Sequence, residues 1–160
     1  KPLPAAVETR RLTLRVWEEA DVPVMNEAIA ANMDRFRPFL PWVTHEPMDD
    51  EARAELVINW QDGRKAGSDA HYTVFHQEDS SRVIGGGSLK RLNVPCRPEI
   101  GYWIAADQSR KGYITVLSRA LTTAALSHPG VSRVEIHHDA SNFASSHVSA
   151  KLGYRRDKDV

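Results

Sequence analysis

The chain has 160 residues, of which 41 % are apolar, enough to form one hydrophobic core without disulfide or metal support. Its 21 acidic and 21 basic residues balance, so no overall field attracts nucleic acid or an anionic membrane, and we expect no direct nucleic-acid binding. The single cysteine, Cys96, excludes an intramolecular disulfide. We expect one domain that covers residues 1–160.

Targeting and membrane segments are not evident in the composition of the chain. Neither a cationic-then-apolar leader nor an apolar run of membrane-spanning length occurs, which predicts a soluble, cytoplasmic protein with no membrane partner. The opening segment KPLPAAV contains two prolines, and we expect it to be a loose tail.

The first half of the chain predicts one strand and two helices. Residues 9–17, TRRLTLRVW, alternate apolar and polar side chains, which indicates a half-buried strand. Residues 18–32 begin with acidic residues and continue with apolar ones at helical spacing, which predicts a helix. A second helix is predicted from about Asp49 to Arg64, and we take Gly63 and Gly67 to mark its end.

The second half predicts an antiparallel meander followed by alternating helices and strands. Strands are expected near 70–77, 82–92 and 98–105, a long amphipathic helix after Gly112, a strand at 131–139 and a helix from about Asn142 to Leu152. This order predicts an α/β (α+β) fold with a mixed, mostly antiparallel central sheet flanked by helices.

The stretch SRKGYITVLSRAL, residues 109–121, places two cations and a glycine directly before the long helix. Free amides at a helix start bind anions, so strand, loop and glycine-opened helix together predict a phosphate cradle with Arg110 and Lys111 at its rim. A tolerated turn glycine with two solvated cations is an equally compatible interpretation. Neither common nucleotide-phosphate motif occurs, and the run Gly85-Gly86-Gly87 is more typical of a strand bulge or close packing.

Two segments resemble known cofactor-binding motifs. The sequences EIGYWIAADQSRKGYITVLSRAL and DASNFASSHVSAKLGY are similar to those of the Gcn5-related N-acetyltransferase (GNAT) superfamily, in the branch that acetylates the N-termini of ribosomal proteins. The segments ETRRLTLRVWEEADV and NMDRFRPFLPWV also resemble that branch. The second motif matches at Asn142, Ala144, Ser145, Val148, Lys151, Leu152, Gly153 and Tyr154.

The resemblance implies a GNAT-like acyl-CoA N-acyltransferase fold that binds acetyl-CoA as acetyl donor between two splayed strands. Gly101, Tyr102, Trp103 and Ile104 would then bind the pantetheine arm like an added strand. The pyrophosphate cradle would comprise Ser109, Arg110, Lys111, Gly112, Tyr113 and Ile114, and Asn142 and Ser145 would lie near the thioester.

The chain departs from the branch pattern in two places. Ser109 stands where Gln or Arg is usual, Arg110 where glycine is usual and Ile114 where Ala or Gly is usual; all three bear on cofactor affinity. Six residues follow Tyr154, where the family adds one or two strands. We therefore expect a sheet that is incomplete, truncated or completed by a partner, and an open edge suits a homodimer.

Acetyl transfer to an amine requires a base for the nucleophile and a proton for the departing thiolate. Glu99 is the candidate base, acting through one water, unless it is only an exposed or helix-pairing glutamate. Ser145 is the candidate acid, a role compatible with helix capping beside Asn142.

The acceptor side, by the same resemblance, would be a wall of cationic and aromatic side chains that suits a peptide or a small amphipathic amine. It would comprise Arg35, Phe36, Phe39, Leu40 and Trp42; ordinary packing is the alternative. We expect no metal, because the consecutive strand residues His137 and His138 point to opposite faces. Cys96 has no assignable histidine partner and is expected to be a bystander.

Together these features predict an enzyme, an N-acetyltransferase that moves acetyl from acetyl-CoA to a primary amine by direct attack in a ternary complex. A protein N-terminal α-amine is the preferred acceptor. A small amine, such as an antibiotic, a polyamine or an amino acid, is the first alternative. A non-catalytic acetyl-CoA-binding module is the second.

Overall fold

The structure is a computed structural model that describes residues 2–33, 48–93, 98–108 and 111–136. Within these residues the strands form one sheet in the order β1-β2-β3-β4-β5-β6, which is also their order along the chain. The strands are Ala6–Glu8, Leu12–Val16, Ala70–His76, Gly85–Lys90, Glu99–Ile104 and Glu135–Ile136. The first five pair antiparallel, whereas β5 and β6 are parallel. The predicted mixed, mostly antiparallel sheet is confirmed.

In the described part of the chain, three α-helices flank the sheet: α1 is Val22–Ala31, α2 is Asp50–Ala66 and α3 is Tyr113–Leu126. Helix α2 begins where the Asp49 side chain accepts a hydrogen bond from the Ala52 amide, 2.7 Å long, and ends at Gly67 with φ 81°. Gly63 lies inside this helix, so the expectation that it marks the end was wrong. Among the described residues no helix has the length and apolar character needed to cross a membrane.

The two faces of the sheet carry separate apolar clusters. Leu117, Leu121 and Ala125 of α3 pack against one face, together with Leu14, Tyr72, Val74, Leu89 and Ile100. Helices α1 and α2 cover the other face, where Met25, Ile29 and Val57 contact Trp17 and Phe75. Because successive strand residues alternate between faces, the second face also receives His71, Thr73, Ser88, Lys90, Glu99, Gly101 and Trp103.

The N-terminal segment is anchored to the domain, so the expectation of a loose tail was wrong. Leu3 is 1 % exposed, and its amide and carbonyl bond to Arg64 at 2.9 Å each. The Tyr72 hydroxyl donates to the Pro4 carbonyl at 2.8 Å, and burial raises the pKa of Tyr72 to about 12. Ala6–Glu8 then adds an edge strand to β2.

Candidate active site

Helix α3 begins with an anion-binding geometry. Gly112 precedes it with φ 79° and ψ 4°, a left-handed conformation that favours glycine. No side chain caps this end, and the first bond recorded into the helix runs from the Val116 amide to the Gly112 carbonyl at 3.3 Å. The preceding amides are therefore available to a ligand at the positive end of the helix dipole.

Arg11, which the sequence reasoning did not single out, lies against this helix start. Its Nη2 donates to the Lys111 carbonyl at 2.9 Å, and its guanidinium carbon is 4.5 Å from the centroid of the Tyr113 ring. A Cβ on Gly112 would be 3.4 Å from Arg11 Nη1. The side chain is otherwise exposed, so a third cation stands beside the predicted cradle.

Residues 105–108, which follow β5, are held by contacts from neighbouring strands and their loops. The Ala105 amide donates to the Ile84 carbonyl at 2.8 Å, and Arg82 forms an ion pair with Asp107. Gln108 is buried and lies 3.1 Å from His76 Nε2. These bonds order residues 105–108 before any ligand binds. Ligand binding then costs less conformational entropy in this segment.

The described cradle residues divide between rim and core. Lys111 is exposed at the rim, and Tyr113 is half-buried between Arg11 and the edge of His76, whose ring centroid is 5.1 Å away. Ile114 packs against the core on the α3 face. Ser109 and Arg110 lie outside the described residues.

The predicted pantetheine strand is β5. Tyr102 and Ile104 face α3, while Trp103 packs on the opposite cluster. The parallel pairing recorded between β5 and β6 joins Glu99 to Glu135 and Ile100 to Ile136. Gly101–Ile104, the segment predicted to pair with an extended ligand, therefore begins directly after the two residues of β5 that pair with β6.

The three consecutive glycines of β4 allow close packing. A Cβ on Gly86 would lie 2.3 Å from Trp103 Nε1, and a Cβ on Gly87 would lie 3.0 Å from Leu121 Cδ1. The β4–β5 register runs without interruption from Gly85 to Lys90. Of the two interpretations of this run, close packing is correct.

Glu99 lies at the start of β5, at the end of the strand opposite the helix start. Its side chain is 17 % exposed and forms an ion pair with Arg91. The candidate base and the anion cradle thus occupy the two ends of one strand. A donor that runs along the strand, with phosphates at one end and thioester at the other, requires this arrangement.

A group of polar side chains on the Glu99 face was also missed. His71, Ser88 and Gly101 lie side by side in one row of the sheet, and Lys90 is opposite Glu99 in the next row. The His71 ring stacks on Trp60 with 4.0 Å between centroids. Burial and, secondarily, the Lys90 charge lower the pKa of His71 to about 3, so its imidazole is neutral at pH 7.

Several predicted site residues lie outside the described residues. These are Ser145 and Asn142 of the second motif, the acceptor-wall residues Arg35, Phe36, Phe39, Leu40 and Trp42, and Cys96, His137 and His138. Within the described ranges no three His, Cys, Asp or Glu side chains are grouped as metal ligands. The expectation of no metal stays a prediction.

Fold and site geometry together define an acyltransferase of the GNAT type. Residues 11–155 match the family model described as an acetyltransferase (GNAT) domain, and the chain belongs to this family. The family consists of acetyl-CoA-dependent enzymes. The predicted superfamily, enzyme class and acyltransferase fold are therefore confirmed.

Relatives within the family carry ribosomal names. The chain is 28 % identical over 144 residues to YdaF of Bacillus subtilis strain 168, provisionally named a ribosomal N-acetyltransferase, covering 89 % of this chain and 77 % of YdaF. It superposes on RimL, a ribosomal L7/L12 α-N-protein acetyltransferase solved with coenzyme A, with a TM-score of 0.78, 21 % identity and coverage of 94 % and 82 %. A ribosomal-protein-S5-alanine acetyltransferase from Vibrio fischeri gives a TM-score of 0.83 at 16 % identity, with coverage of 96 % and 85 %.

Proposed function

We propose that this chain transfers an acetyl group from acetyl-CoA to the α-amine at the N-terminus of a protein. The observation that carries the proposal is the glycine-opened start of α3, which presents free amides beside the Arg11 and Lys111 cations. The names of RimL, YdaF and the S5-alanine enzyme support a ribosomal protein as acceptor.

The residues of this chain fit the donor. The left-handed backbone and absent side chain of Gly112 leave room at the helix start, where a Cβ would approach Arg11. We infer that the amides of Gly112, Tyr113 and Ile114 bind the diphosphate, with Arg11, Arg110 and Lys111 as counter-charges. Gly101–Ile104 would bind the pantetheine arm through their backbone. Ser109 borders this loop, and Asn142 and Ser145 complete the proposed set.

The chemistry requires few groups from the protein. Bound acetyl-CoA supplies an activated acetyl thioester, and transfer forms an N–C bond as the C–S bond breaks. Glu99 Oε2, held by Arg91, would accept the proton lost by the amine, directly or through one water. Ser145 Oγ would donate a proton to the departing sulfur. Arg35, Phe36, Phe39 and Trp42 remain the proposed wall for the acceptor.

An α-amine is easier to use than a lysine side chain. With pKa values near 7.8 and 10.4, deprotonation at pH 7 costs about 1 kcal/mol for the α-amine and about 4.6 kcal/mol for lysine. A single carboxylate is therefore a sufficient base for deprotonating an α-amine, but a weak one for deprotonating a lysine side chain. This difference supports an N-terminal acceptor.

An acetylation assay with paired acceptors tests the proposal. Peptides beginning with Ser or Ala should be acetylated with a higher kcat/KM than the same peptides with a blocked N-terminus and one internal lysine, and higher than polyamines or aminoglycosides. Mass spectrometry locates the acetyl group. Acetylation of the small amines alone would contradict the proposed acceptor while leaving the donor intact.

A further inference from the structure

Gly101 brings β5 close to two polar side chains on the Glu99 face of the sheet. A Cβ built on this residue would meet two atoms of the described chain within 4 Å, Ser88 Oγ at 2.8 Å and Lys90 Nζ at 3.9 Å. Both are hydrogen-bond donors, and the ammonium cannot accept. A hydroxyl and a positive charge therefore both lie next to Gly101 on this face.

Lys90 has no ionic partner in the described part of the chain. It stands directly opposite Glu99 in the register, where an opposite-charge pair would ordinarily form. Glu99 is bonded to Arg91 instead, and the Lys90 ammonium lies over Gly101. A half-buried cation in this position lacks an acceptor that a ligand can provide.

Ser88 adds a second donor beside Gly101. Ser88 is buried, and no hydrogen bond recorded among the described residues involves its Oγ. Ser88 lies opposite Gly101 on one side and His71 on the other, and Trp60 holds the His71 ring by stacking. One stacked aromatic ring and two hydrogen-bond donors therefore lie together on this face of the sheet.

We propose that Ser88 Oγ and Lys90 Nζ bind the carbonyl oxygen adjacent to the acceptor amine, so that this enzyme selects acceptors with an α-amino acyl group. The inference rests on the proposed function and deepens it. A carbonyl oxygen has two lone pairs and can accept from both groups.

The position of the base agrees with this acceptor class. Glu99 lies two residues from Gly101 on the same face of β5. The proposed subsite would therefore hold the amine on the same face of the sheet as the candidate base. Alkylamines and polyamines lack the carbonyl and leave both donors unpaired, which disfavours them.

Two acceptors of similar shape distinguish carbonyl binding by Ser88 and Lys90 from a purely structural role of these residues. Alaninamide carries the carbonyl, and 1,2-dimethylpropylamine replaces its amide by an isopropyl group. Steady-state kinetics at about pH 9, where part of each amine is neutral, compare wild type with Lys90→Met and Ser88→Ala. The exposed Lys65→Met is the matched charge control.

We expect Lys90→Met to lower kcat/KM about 10- to 100-fold for alaninamide and less than about twofold for 1,2-dimethylpropylamine. Ser88→Ala should lower the alaninamide value about 2- to 10-fold. Neither variant should change the KM for acetyl-CoA, and Lys65→Met should match wild type. Alanine, used as a third acceptor, carries a free carboxylate where alaninamide carries an amide, so it tells which kind of oxygen the subsite prefers. A selective loss of kcat/KM with either compound in the Lys90→Met variant supports the subsite.

Equal losses for alaninamide and 1,2-dimethylpropylamine, or no loss for either, would overturn the subsite while leaving the acetyltransferase intact. If wild type acetylates no amine at all, the proposed function fails, and the subsite fails with it. That outcome is visible without any variant, so the two failures are distinguishable.

Discussion

Arg11 illustrates how one side chain connects distant parts of this enzyme. It directly precedes β2 and reaches the Lys111 carbonyl, 100 positions later in the chain. Its guanidinium also covers one face of Tyr113, which limits its motion beside the helix start. Positioned in this way, the charge adds to the field of the free amides where the proposed diphosphate would bind.

Replacing Arg11 with Ala should weaken acetyl-CoA binding about fivefold at low salt, and less at high salt, because exposed charges are screened. Calorimetric titration at two ionic strengths measures this effect. Arg10→Ala is the control, since Arg10 is also exposed and the net charge changes equally. Equal dissociation constants of the two variants for acetyl-CoA would show that Arg11 does not take part in binding it.

At the scale of elements, β4 and α2 contain glycines with different roles. Gly86 is required because its missing side chain leaves room for the Trp103 indole. Gly63 lies inside α2, where a Cβ would meet its nearest neighbour, Ser68 Oγ, at 3.4 Å, an ordinary contact. One glycine thus positions the active-site strand, while the other only weakens a helix.

The two glycines should respond to alanine with opposite signs. Gly86→Ala should lower the free energy of unfolding by about 1–3 kcal/mol, because the Trp103 ring must move. Gly63→Ala should raise it by about 0.4–1 kcal/mol, because alanine restricts the unfolded chain and suits a helix. Urea denaturation gives both values. Destabilisation of similar size in both variants would contradict this account of Trp103.

At the scale of the whole molecule, local patterns predicted the elements but not all of their contacts. Period-two alternation located β2, and the predicted helical segment from about Asp49 to Arg64, followed by Gly67, located α2. The edge strand β1 was missed because AVE is too short to show a period. Arg11, Ser88 and Lys90 were missed because their roles arise from strand register and long-range contacts, which local spacing does not encode.

The resemblance supplied what local patterns could not, namely the acyltransferase chemistry and the donor. The single domain, the homodimer and the completion of the sheet after Tyr154 stay predictions. So do the roles of Ser109, Arg110, Asn142 and Ser145, which lie outside the described residues.

The most direct test of the central claim is calorimetric titration of acetyl-CoA into wild type, Gly112→Val and Gly130→Val. Both glycines have positive φ, 79° and 83°, so valine causes similar backbone strain at each. A Cβ on Gly130, however, meets nothing within 4 Å, and this residue lies beyond the far end of α3. Circular dichroism confirms that both variants are folded.

We predict that wild type and Gly130→Val bind acetyl-CoA with the same dissociation constant. Gly112→Val should bind at least about tenfold more weakly, because the helix start is distorted and obstructed. Equal binding by all three proteins would show that the diphosphate does not occupy the start of α3, and no binding by wild type would contradict acetyl-CoA as donor.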